Sequence, residues 1–127
     1  MAKKETSNLS FVEFFKGRDI ANLTKEVLIK GIPTPFVIRA VTKDEFAEYS
    51  KVAKSDGAKL MELMVINNTV EPNFKSATLL EQFGVTNPKD LLGKVLLSGE
   101  FYALAEEISK LSEFDLDINK KVEQAKN

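Results

Sequence analysis

The sequence predicts an α+β domain: an N-terminal β-hairpin followed by a mostly helical C-terminal portion. Three observations carry this. Two short runs rich in β-branched and aromatic residues, 23–30 and 36–41, flank a Gly/Pro cluster. From Thr42 onward the apolar residues recur at helical spacing, punctuated by cap residues and Gly. Strands come first and helices after, which is the order of an α+β chain rather than of a βαβ repeat. At 127 residues, one domain is expected, with residues 1–8 and 115–127 as mobile termini.

The first element is Leu9–Lys16, LSFVEFFK, a short amphipathic piece ending at Gly17. Ser10 is a candidate cap. Phe11, Phe14 and Phe15 recur at helical spacing, and the expectation is that they seal one end of the core. The alternative is a partner-binding patch. Next, LTKEVLIK alternates: Lys25, Val27 and Ile29 face one way, Glu26, Leu28 and Lys30 the other. Pro33 and Pro35 force a loop wider than a two-residue turn before FVIRAV. Two strands are marginal alone, so the hairpin must pack on helices or join another sheet, and its edge is a candidate assembly surface. Arg39 lies inside the second run, on the face of Val37 and Val41. Either its stem covers the core while its head reaches water, or it makes an anchored ion pair or a partner contact.

Thr42-Lys43-Asp44-Glu45 is a capping box. The helix behind it has Phe46, Tyr49 and Ala53 on one face and stops at Ser55-Asp56-Gly57. Residues 59–69 are almost continuously apolar, which suits a buried helix or a strand; the Leu, Met and Glu content favours helix. Pro72 ends that segment. Ser76–Phe83 is a short helix closed by Gly84. Asn87-Pro88-Lys89-Asp90 is a helix start, with Asn as N-cap and Pro in the first helical position. This helix is expected to run to about Leu97 and to break at Ser98-Gly99. A last helix, Glu100–Ser112, carries Phe101, Leu104, Ala105, Ile108 and Leu111 on one stripe.

Composition excludes several classes of function. The chain has no His, Cys or Trp. Without His a serine triad of the common type is impossible, and without Cys there is neither a disulfide nor a thiolate metal site. Neighbouring acids such as Glu106-Glu107 read as solvated charge. Asp115–Asn119 lacks the Gly and terminal Glu of a calcium loop. The six Gly lie scattered at segment ends and form no phosphate cradle. No catalytic, cofactor or metal site is therefore expected. The formal net charge of −1 argues against a nucleic-acid partner and a transcription regulator. No apolar run approaches a membrane span, and the basic, polar start is not a secretory signal. A cytoplasmic interaction protein is the expectation.

The chain also resembles a known family, over roughly Val27–Phe114. The features that carry the resemblance are Pro35–Ala40 with Thr42–Phe46, then Val70-Glu71-Pro72-Asn73-Phe74, Leu79-Leu80, Phe83-Gly84-Val85, Leu91-Leu92, Val95-Leu96-Leu97 and Gly99-Glu100 leading into Leu104 and Leu111. Its most specific part is the ordered set Glu71-Pro72-Asn73, Gly84-Val85, and Leu-Leu ahead of Gly99-Glu100. On these residues the chain resembles the XkdN-like tail assembly chaperones of phages and phage-like elements in Gram-positive bacteria. The resemblance implies a non-catalytic assembly factor that keeps the tape measure protein soluble, recruits tail tube protein and is absent from the finished virion. It also implies that a longer, frameshifted form is often made. Self-association is a further expected interaction. The contrasting expectation is a tail-completion or connector protein retained in the particle. A chaperone of a helical client needs an apolar groove between helices. The segments Pro88–Leu97 and Glu100–Ser112 have more apolar positions than one stripe requires. Leu92, Leu96 and Phe101 are accordingly expected on such a groove, the alternative being that all three are buried in the core.

Overall fold

The computed structural model describes residues 2–113, with side chains from Asn8 onward. The expectations for Asp115–Asn119 and for the mobility of 115–127 lie outside the described residues. The α+β class is borne out: a three-stranded antiparallel sheet, ordered β1-β2-β3, is covered by helices.

Helix α1 spans Ala2–Gly17, starting well before Leu9. A single 3₁₀ turn, Ile20–Asn22, leads into β1, Thr24–Val27. β1 pairs with β2, Phe36–Arg39, in the register Val27↔Phe36 and Thr24↔Arg39. The alternation predicted for this run holds, since Val27 and Ile29 are buried and Leu28 is exposed. The eight-residue connection turns at Gly31, whose φ of +91° is a left-handed conformation that favours glycine. The Ile32 N–H donates to Ile29 O there.

Helix α2, Lys43–Ala53, starts with the predicted capping box. The Glu45 N–H donates to Thr42 Oγ1 at 3.2 Å, and the Thr42 N–H donates to Glu45 Oε1 at 3.0 Å. Residues 57–68 form helix α3, Gly57–Asn68, capped by the Asp56 carboxylate. The structure then adds what the sequence did not announce: β3, Thr69–Glu71, follows α3 with no intervening loop and pairs with β2. Three residues of β3 span two of β2, so Val70 is extra and the ladder is irregular there. The Glu71–Pro72 peptide is cis.

Helix α4, Ala77–Gln82, is capped by Ser76. It is closed by Gly84 at φ +65°, with the Val85 N–H reaching back to Leu80 O. Helix α5, Pro88–Val95, begins at the predicted Asn87 cap. Helix α6 spans Ser98–Leu111.

The core lies where α3 and α6 meet each other and the sheet. Ile38, Val65, Phe74, Leu91, Leu104 and Ile108 are essentially inaccessible to solvent. None of the described side chains of α1 joins this core. Phe11, Phe14 and Phe15 are 58%, 58% and 60% exposed. The expectation that they seal the core is therefore overturned. The core is closed by α3, α5 and α6, and α1 stands outside it.

Candidate functional site

Among the described residues, a groove opens where α5 ends and α6 begins. α5 is short, and what separates it from α6 is a two-residue break at Leu96 and Leu97. Both are extended, with φ/ψ of −117°/136° and −73°/157°. The break lies just before Ser98-Gly99, where it was expected. Ser98 and Gly99 instead form the first turn of α6, because Glu100 accepts the Leu97 N–H at 2.8 Å and starts the helix early. Leucine has no side-chain acceptor, so only this half of a capping box forms. The extended backbone at 96–97 breaks the apolar stripe and lifts Leu97 away from the core, leaving it 73% exposed.

The resulting open groove has a volume of about 510 Å³. Leu92, Leu96 and Phe101, the three residues expected together on a groove, all line it, with Leu97 and Tyr102 added. Leu92 is buried at its floor, while Leu96 and Phe101 are half-buried. Tyr102 stands edge-on to Phe101, with ring centroids 5.4 Å apart, and is 56% exposed. Glu62 of α3 and Lys89 and Asp90 of α5 bring charges of both signs to the groove. An apolar floor with mixed charge around it suits the apolar ridge of an amphipathic helix. Sequence reasoning missed Leu97 and Tyr102. The signal for Tyr102 was its position just off the Phe101 stripe; Leu97 read as an ordinary helical leucine.

Arg39, the fourth candidate partner residue, does not line the groove. It is held within the fold as an ion pair: Nη1 donates to Glu45 Oε1 at 3.1 Å and Nη2 to Glu45 Oε2 at 2.7 Å. This fork joins β2 to the first turn of α2. The Arg39 hydrogen bonds hold the Glu45 carboxyl below its ordinary value of 4.5, and Glu45 raises Arg39 in turn. A carboxyl with a lowered folded-state pKa contributes stability that is complete above its unfolded value. That stability is lost as the pH falls through the folded value. Glu45→Gln keeps an acceptor for the Thr42 N–H but removes the charge. Its expected cost is about 1–2 kcal/mol at neutral pH. In urea unfolding the gap between wild type and variant should close on acidification below pH 4.5.

A second hollow, of about 300 Å³, lies beside the first, and Leu96 lines both. Its other walls include Phe36, Pro72, Phe74, Leu79, Phe83 and Val95, and it is apolar throughout. Among the described residues, no group of three or more His, Cys, Asp or Glu is placed to hold a metal ion. Nor is any helix long and apolar enough to cross a membrane.

Comparison with known proteins identifies the family and the fold. A family described as the phage XkdN-like tail assembly chaperone protein, TAC, matches residues 13–126. The chain is 26% identical over 149 aligned positions to the uncharacterized protein YqbN of Bacillus subtilis (strain 168), and the alignment covers all of both chains. The crystal structure of YqbN superposes with a TM-score of 0.67 at 25% identity, covering 80% of this chain and 94% of that one.

Proposed function

This chain belongs to the phage XkdN-like tail assembly chaperone family, and from that premise we propose that it binds the tape measure protein through the α5–α6 groove. The observation that carries the reading is the exposure of Leu97 and Tyr102 beside Leu92, Leu96 and Phe101. Such a groove takes successive apolar residues of a helix at i, i+3, i+4 and i+7. A long helical client would otherwise expose those residues to water and aggregate. Holding them in the host cytoplasm until tube subunits arrive is a non-catalytic task. Recruitment of tail tube protein completes the cycle, and the chaperone leaves before the particle is finished.

Co-expression tests this reading. The tape measure protein of the same phage or phage-like element should be soluble and co-elute with this chain, and should precipitate when this chain is omitted. Finished particles should lack the chain. Its presence there in fixed stoichiometry, with no effect on client solubility, would support a tail-completion or connector component instead.

A further inference from the structure

Helix α6 ends in a way that turns its outgoing chain back toward the domain. Ser112 closes the helix and is tied to the sheet: the Val41 N–H donates to Ser112 Oγ at 2.7 Å, and Ser112 Oγ donates to Ile108 O at 2.7 Å. Glu113 then takes the left-handed conformation, with φ +65°, that glycine usually supplies just past a helix. Its N–H donates to Lys110 O at 3.1 Å, which is the inner bond of a Schellman ending. In that ending an apolar residue directly after the left-handed one packs back on the last turn of the helix. Here that residue is Phe114.

A hollow opens at the same place. It has a volume of about 170 Å³, and Ser112 and Glu113 are among its walls. Its apolar walls come from three parts of the chain: Ile20 and Leu23 ahead of the sheet, Val41 after β2, and Leu111 at the end of α6. Ile20 and Leu23 are 44% and 39% exposed there. An apolar cavity of about 150 Å³ accepts one benzene ring, so the hollow has room for one phenylalanine. Charge complements shape. Arg18 and Lys43 also line the hollow, and neither pairs with a carboxylate among the described residues. Arg18 instead lies over the Phe14 ring, 5.6 Å from its centroid. Residues 114–127 begin Phe-Asp-Leu-Asp, so two carboxylates, Asp115 and Asp117, follow the ring closely.

We infer that Phe114 packs into this hollow of its own chain, with Asp115 and Asp117 set beside Arg18 and Lys43. The chain's own ring is favoured over that of a second copy because Phe114 is joined directly to a wall residue. A tether that short gives an intramolecular contact an effective concentration on the order of mM. The contact closes the gap between the end of α6 and the connection from α1 to β1, and it anchors the C-terminal segment beside the point where α1 leaves the domain. The α5–α6 groove lies at the opposite end of α6, so the inference does not depend on the client reading.

The test is nuclear Overhauser spectroscopy of the full chain, labelled at the Ile, Leu and Val methyls and at the Phe rings. Cross-peaks are expected from the Phe114 ring to the methyls of Ile20, Leu23 and Val41, assigned by their loss in Phe114→Ser. Circular dichroism checks that the variant keeps its fold. Lys43→Glu, at an exposed position, should weaken the same cross-peaks, and Asp115→Lys in that chain should restore them. A sample that mixes methyl-labelled with ring-labelled chains separates a chain's own ring from a neighbour's. Three outcomes overturn the proposal. Absence of these cross-peaks in wild type leaves the hollow without Phe114. Cross-peaks between different chains of the mixed sample place the ring in a neighbour's hollow. Cross-peaks indifferent to Lys43→Glu overturn the charge contact.

Discussion

Asn68→Ala should destabilise the fold by about 3 kcal/mol, a large share of the roughly 5–15 kcal/mol that holds a domain of this size together. Asn68 is completely buried at the junction of α3 and β3. Its Nδ2 donates to Ala40 O at 3.1 Å, and its Oδ1 accepts from Tyr49 Oη at 2.8 Å. One side chain thus ties α2 and the end of β2 to the point where the backbone changes from helix to strand. Truncation leaves the Ala40 carbonyl and the Tyr49 hydroxyl without partners, and an unpaired buried group costs about 1–3 kcal/mol. Burial pushes the Tyr49 phenol up to about 12, so it remains a neutral donor at any working pH.

The Asp variant separates hydrogen bonding from shape. Asn68→Asp keeps the volume and an acceptor for Tyr49, but sets a carboxylate against the Ala40 carbonyl. Only the protonated acid can donate there. Its folded-state pKa must therefore be raised, and the variant should be more stable near pH 4 than at pH 7. Thermal melts of the two variants at both pH values check this. Equal losses in the Asp variant at the two pH values would show that the Ala40 contact contributes nothing.

Leu97→Asp combined with Tyr102→Asp should abolish client solubilisation while leaving the melting temperature almost unchanged. Both side chains are more than half exposed, and exposed positions usually change stability by less than about 0.5 kcal/mol. In a binding groove the same side chains are candidate anchors. Loss of an anchor costs about 2 kcal/mol or more, some thirty-fold in affinity. Charges placed on the groove wall also oppose an apolar ridge. The check pairs a thermal melt with the soluble fraction of co-expressed tape measure protein. Normal solubility with a folded variant would remove the groove from the binding account.

The parts of this structure that were legible in the sequence rest on local hydrogen-bond chemistry. Thr42 with Glu45, Asn87 with Pro88, and Gly84 each satisfy helix-end groups within a few residues. Such signals survive whatever the rest of the chain does. The hairpin was readable for the same reason, since Pro33 and Pro35 and the alternation around Val27 act locally. What was hidden depends on distant partners. β3 is three residues long and follows α3 without a turn. It exists because Asn68 is held by Ala40 and Tyr49, and because β2 offers it an edge. One miss was local: the break at Leu96–Leu97 was displaced from Ser98-Gly99 because Glu100 reaches back to Leu97. At the site, Leu92, Leu96 and Phe101 were visible as surplus apolar residues. The groove's outer wall was not, because periodicity cannot show that a leucine sits on an extended break. Arg39 was readable as an unusual residue on a strand. Its engagement with Glu45 required the connection at 40–42 to bring the first turn of α2 beside the end of β2. The expectation for the Phe11–Phe15 cluster failed because aromatic density in a sequence suggests burial but does not fix where the helix that carries it packs.

The most direct measurement is site-specific photo-crosslinking during co-expression with the tape measure protein. Benzoylphenylalanine is placed at Leu97, at Tyr102, or at Val52 of α2, which is exposed but outside the groove. The groove account predicts covalent adducts with the tape measure protein from positions 97 and 102 and none from 52. Adducts from position 52, with none from 97 or 102, would contradict it.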